Sequence, residues 1–93
     1  MTSDLEIIIQ VIESVLEELP EQGVQQHDSL IGEERLLDSM ALVEVCLQLE
    51  DLASESGFIF DWMSESAMSR SRSMFKSVET LANEFTAQRN SSQ

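Results

Sequence analysis

Aromatic rings are scarce in this sequence. It has no Tyr, one Trp and four Phe among 93 residues, so any core must be mostly aliphatic. There is one cysteine, Cys46, which excludes an internal disulfide. No metal-ligand spacing surrounds Cys46 or the lone His27, and no calcium-loop pattern occurs. No His/Asp/Ser constellation and no phosphate-cradling glycine loop is present, so the chain is not expected to be an enzyme. The first residues lack a basic stretch followed by an apolar run of signal-peptide length, and no segment approaches a membrane span. A soluble cytoplasmic protein is expected. Positive charge is also scarce: 5 basic residues face 18 acidic ones, a net charge of −13. Nucleic acid and anionic lipid would be repelled, and partners with Lys/Arg patches attracted.

What is present is enough for one small domain. Hydrophobic residues make up 42% of the chain, which supports one modest core but not a core plus a deep cleft. Residues 4–19 read as an amphipathic helix, with Leu5, Ile8, Ile9, Ile12, Val15, Leu16 and Leu19 at helical spacing. Ser3 and Glu6 form a capping box at its start, and Pro20 and Gly23 close it. Residues 20–38 lack sustained periodicity and read as a long surface loop, pinned by Leu30, Ile31, Leu36 and Leu37. So long a loop in so small a domain suggests a function.

The second helix is predicted over residues 39–55, with Asp38 as its N-cap and Gly57 at its end. On a helical wheel, Leu42, Val45, Cys46, Leu49, Leu52 and Ala53 share one face. Glu44, Gln48, Asp51 and Glu55 share the opposite one, and Met40, Val43 and Leu47 run between as an apolar strip. Residues 58–63 are bulky and should pack across the helix ends, with Trp62 as an anchor. The Ser-rich stretch 64–73 is a weak candidate for a short third helix. Its Arg70 and Arg72 are expected to offset the acidic second helix or to stay solvated, with binding of a dedicated partner or an acidic cargo as the alternative. Ser77 should cap a last helix running to about Ala87, with Val78, Leu81, Ala82 and Phe85 facing inward. The expectation is an all-α domain over residues 1–87 and a polar, frayed tail over 88–93. Cys46 should be a buried structural thiol and His27 a surface residue.

The unit that carries chemistry is Leu37-Asp38-Ser39-Met40 followed by Val43-Glu44. With the apolar helix and long loop before it, and the acidic helix it opens, this unit resembles the attachment motif of the acyl carrier protein family. That family includes peptidyl and aminoacyl carriers, and the resemblance runs from the first helix to Phe85. It implies a four-helix acyl-carrier-like bundle with a long loop between helices one and two and a short third helix. It also implies that Ser39 bears a covalent 4′-phosphopantetheine arm from coenzyme A, carrying acyl, aminoacyl or polyketide groups as thioesters. Asp38 would cap the helix and help hold the metal during arm transfer. Met40, Val43, Glu44, Leu47 and Asp51 would form a partner-docking face, although Leu47 could equally belong to the core.

The partners implied are a phosphopantetheinyl transferase, a loading ligase and a downstream synthase or transferase, acting on a monomer. The chain's length suggests a pathway of free enzymes. Two departures from the family pattern stand out. Leu36 occupies a position where many members have glycine, and the Phe58–Phe75 connection is long. The competing reading is an acidic helical adaptor that binds a basic protein and has no prosthetic group.

Overall fold

The computed structural model describes residues 3–32 and 35–91. All regular structure among them is helical: α1 Asp4–Val15, α2 Ser39–Glu55, α3 Glu65–Ser69, α4 Ser71–Met74 and α5 Val78–Ser91. The expected all-α class is therefore observed, but with five helices in place of four. α1 packs against both α5 and α2. Each of the three long helices contributes an apolar stripe to one core: Ile8, Val11 and Ile12 from α1, Val45, Cys46, Leu49 and Ala53 from α2, and Val78, Leu81, Ala82 and Phe85 from α5.

α1 is shorter than the periodicity predicts. Its N-cap is as expected, with the Glu6 N–H donating to Ser3 Oγ at 3.2 Å. It stops at Val15, where Leu16 turns extended (φ −71°, ψ 133°), and Leu19 is exposed. The apolar spacing continues through Leu19, but Glu17 and Glu18 would lie at the negative end of the helix dipole, with no basic residue in the last turn to offset them.

The loop after α1 is held at several points. Val24, Leu30 and Leu37 are buried and Leu36 packs against the core, whereas Ile31 is exposed and does not pin the loop as predicted. The first N–H groups of α5 have no helical partner of their own. The loop supplies two: Val78 N–H donates to Asp28 O at 3.0 Å and Glu79 N–H to Gln26 O at 2.8 Å.

α2 has the predicted bounds. After it, the bulky segment alternates. Phe58 and Phe60 point inward, while Ile59 and Met63 are exposed. Both inward rings pack on Phe85, at centroid distances of 5.2 and 5.5 Å. Trp62 anchors the segment to α2 by donating from Nε1 to Glu50 Oε1 at 2.6 Å.

The Ser-rich stretch forms two short helices, broken at Arg70 (φ −100°, ψ 1°). Ser64 caps the first of them, accepting from the Ala67 N–H at 3.1 Å. Arg70 pairs with Glu84 of α5 at 3.1 Å, so its charge offsets α5 and not the acidic α2.

The last helix also departs from expectation: Ser77 caps it as predicted, but it runs to Ser91 and not to Ala87. Two of the residues read as a frayed tail, Gln88 and Arg89, are tied down. Gln88 and Asp61 exchange two hydrogen bonds through the Asp61 backbone, at 2.6 and 2.7 Å. Arg89 Nη1 donates to Asp4 Oδ1 at 2.6 Å. Ser92 and Gln93 lie outside the described residues.

Cys46 is fully buried. Burial, reinforced by the Glu50 carboxylate, pushes its thiol up to about 12, which removes the thiolate at neutral pH and fits a structural role.

Asp4 joins the two ends of the fold, accepting from Arg89 and from the Thr86 hydroxyl. Burial alone would raise its carboxyl. The hydrogen bonds from Arg89 and Thr86, with the Arg89 charge, outweigh burial and hold it below its ordinary value. A depressed folded-state value means that the clamp contributes fully above the unfolded value and is lost as pH falls through the folded one. Asp4→Asn should therefore cost on the order of 1 kcal/mol at neutral pH. The gap between wild type and variant should close in acid below the ordinary aspartate range, as read by urea titration across pH. Phe85→Ala removes the ring on which Phe58 and Phe60 pack. It should cost about 3–5 kcal/mol in the same titration, and a loss below about 1 kcal/mol would contradict the packing described.

Candidate functional site

The loop meets α2 in a three-residue step. Leu37 is buried at 1% exposure, while Asp38 and Ser39 are both exposed. Asp38 is the N-cap, in extended backbone (φ −75°, ψ 177°). Its Oδ1 accepts from the Ala41 N–H at 2.8 Å, which satisfies one of the free donors of the first turn. Ser39 is the first helical residue and stands at the surface.

The rest of α2 orients this start. Val45, Cys46, Leu49 and Ala53 are buried, with Leu42 and Leu52 packed at their margin. That setting leaves Met40 83%, Val43 43% and Leu47 48% exposed. Glu44 and Asp51 are exposed beside them. Every residue read as part of the docking face therefore reaches solvent, and Leu47, which could have belonged to either surface or core, is half exposed. No ion pair to Glu44, Asp51 or Glu55 occurs among the described residues.

Two concavities flank the start of α2. One, of about 540 Å³, lies where the chain leaves α1 and enters α2. Its floor is apolar, built from Leu16, Leu36, Met40, Val43 and Leu47, and its carboxylates are Glu17, Asp38 and Glu44. The Leu36 side chain forms part of this lining. The other concavity, of about 320 Å³, is lined by Ser39 itself with Leu30, Ile31, Leu42 and Arg35.

Arg35 was not among the residues singled out from the sequence. It comes from a loop segment without periodicity, so no spacing pattern marks it. The chemistry available here is that of an exposed hydroxyl at a capped helix start, with apolar and acidic surface alongside. No group of three or more His, Cys, Asp or Glu that could hold a metal occurs among the described residues. Among the same residues, no helix is long and apolar enough to cross a membrane.

Asp38→Ala should lower stability by about 1 kcal/mol, and Asp38→Asn by only a few tenths, because Asn keeps the cap without the charge. Equal losses in chemical denaturation would show that charge, not capping, holds this helix start.

Comparison with protein-family models finds no match, and comparisons with curated proteins and with solved structures find none either.

Proposed function

We propose that the chain is a non-catalytic carrier whose Ser39 hydroxyl accepts a phosphopantetheine arm from coenzyme A. The observation that carries this reading is the exposure of Ser39 at the first position of a long helix whose inward face, Val45 to Ala53, is buried in the core. A serine that another enzyme must modify needs this accessibility. The residues present fit the group. The hydroxyl faces solvent, Asp38 holds the helix start in shape, and the first-turn N–H groups and helix dipole favour an attached anion. The arrangement is in keeping with the resemblance to acyl carrier proteins, including the finer reading of the helices as an acyl-carrier-like bundle.

Attachment forms one phosphoester bond at Ser39 Oγ and breaks the pyrophosphate bond of coenzyme A, whose nucleotide half leaves as adenosine 3′,5′-bisphosphate. The hydroxyl proton leaves through the modifying enzyme. The arm supplies a terminal thiol that holds cargo as a thioester. The chain's own residues then have two roles. Asp38 keeps the attachment point rigid by capping, with metal binding during transfer as its further role. Met40, Val43 and Leu47 offer apolar contact beside Glu44 and Asp51, which orient basic partners. Those partners are a phosphopantetheinyl transferase, a loading ligase and a downstream synthase or transferase.

The exposed strip also suits an acidic adaptor that binds a basic protein without any prosthetic group. Ser39 separates the two readings. Incubation with coenzyme A and a broad-specificity phosphopantetheinyl transferase should add the mass of one arm to wild type and none to Ser39→Ala. Wild type left unmodified beside a loaded positive control would remove the carrier reading. A basic partner that binds Ser39→Ala as tightly as wild type would favour the adaptor.

A further inference from the structure

We propose that Arg35 is the phosphate-binding residue of the Ser39 site: its guanidinium pairs with the phosphodiester joined to Ser39 Oγ. The inference rests on the carrier reading, and it names a residue on the loop side of the site that the docking face does not include.

Ser39 stands between two unlike surfaces. The larger groove offers three carboxylates and no cation among its lining residues. The smaller concavity, which Ser39 itself lines, contains Arg35 and shares a single carboxylate, Asp38, with the larger groove. In a chain with five basic residues and a net charge of −13, a guanidinium at this place is the exception to the surrounding field. Two of the other arginines are engaged with carboxylates: Arg70 with Glu84 and Arg89 with Asp4. Arg35 has no carboxylate partner among the described residues.

The loop geometry holds Arg35 in place. Its backbone N–H and its Nη1 both donate to the Gly32 carbonyl, at 3.4 and 3.1 Å. Gly32 has φ +94°, a conformation that favours glycine. Next to it, the Leu36 N–H donates to Ser29 O at 2.9 Å and closes the turn. The side chain is thereby anchored through one nitrogen. Its other N–H donors have no described partner, and a guanidinium has five.

A phosphodiester on Ser39 creates a need for such a group. It places a new anion next to Asp38, whose carboxylate is fixed on the Ala41 N–H and cannot turn away without uncapping the helix. Like charges at that spacing oppose the modification. A guanidinium lining the same concavity answers it with charge-assisted hydrogen bonds, which Arg makes to phosphate better than a point charge can.

The test compares arm-free and arm-bearing protein for wild type, Arg35→Gln and Arg35→Lys, by NMR of the Arg35 side chain and by thermal unfolding. Addition of the arm should shift the Arg35 Nε–H resonance in wild type. Arg35→Gln should lower the melting temperature of the arm-bearing form by about 3 °C more than that of the arm-free form. That difference should shrink with added salt, and Arg35→Lys should fall between. An arm-bearing wild type with an unmoved Nε–H signal, and the same arm-dependent change in melting temperature for the Gln variant, would overturn the assignment of Arg35 while leaving the carrier reading intact. Wild type that takes up no arm beside a loaded control would overturn the carrier reading, and the role of Arg35 with it.

Discussion

Burial of Val45, Cys46, Leu49 and Ala53 sets how α2 is turned about its axis, and the remaining features of the site follow from that setting. Each fully buried aliphatic side chain is worth roughly 1.5–3 kcal/mol, against about 1 kcal/mol for the Asp38 cap. Packing therefore decides which way the helix faces, and the cap decides where it begins. Leu37, just before the cap, is as buried as the helix core. With a core anchor at Leu37 and another from Val45 onward, the intervening Asp38, Ser39 and Met40 are left at the surface. A turn of the helix large enough to bring Ser39 inward would carry Val45, on the other margin of the buried face, towards water.

Charge is distributed as unevenly as exposure. The ion pairs Arg70–Glu84 and Arg89–Asp4 tie α5 to the helices around it, and the second closes the fold where α1 begins and α5 ends. The exposed acids of α2 have no such partner among the described residues. They work against the helix dipole towards Glu55, with no basic residue in the last turn. The fold gains nothing from them locally. Their effect is outward, as a field that favours basic surfaces and disfavours anionic ones, and this is what gives Arg35, beside Ser39, its significance.

The parts of the molecule that were legible in the sequence are those where periodicity and capping agree. The bounds of α2 follow from Asp38, Gly57 and the spacing of Leu42 through Ala53, and the inward stripe of α5 follows from Val78, Leu81, Ala82 and Phe85. The exposure of Met40 and Val43 could be read from the same wheel. The failures have physical causes. Leu19 keeps helical spacing, but the glutamates before it oppose the helix. Ser64–Ser73 gives a weak helix signal because serine competes for backbone bonds, yet two short turns form where Ala67, Met74 and Phe75 find the core. Residues 88–91 look like a tail because they are polar, yet the helix continues through them, with Gln88 held by Asp61 and Arg89 by Asp4, each more than 25 positions away in the chain. Arg35 belongs to loop geometry, which has no periodic signature.

The central claim is that the hydroxyl at residue 39 is offered to other enzymes for covalent loading. Mass spectrometry of the protein purified from its native host tests it most directly, by fragmenting the peptide that spans the loop–α2 junction. The account predicts a phosphopantetheine ester at Ser39, with any remaining cargo on its thiol. Folded protein recovered from the host with Ser39 bare throughout, or with the added mass on another residue, would contradict it.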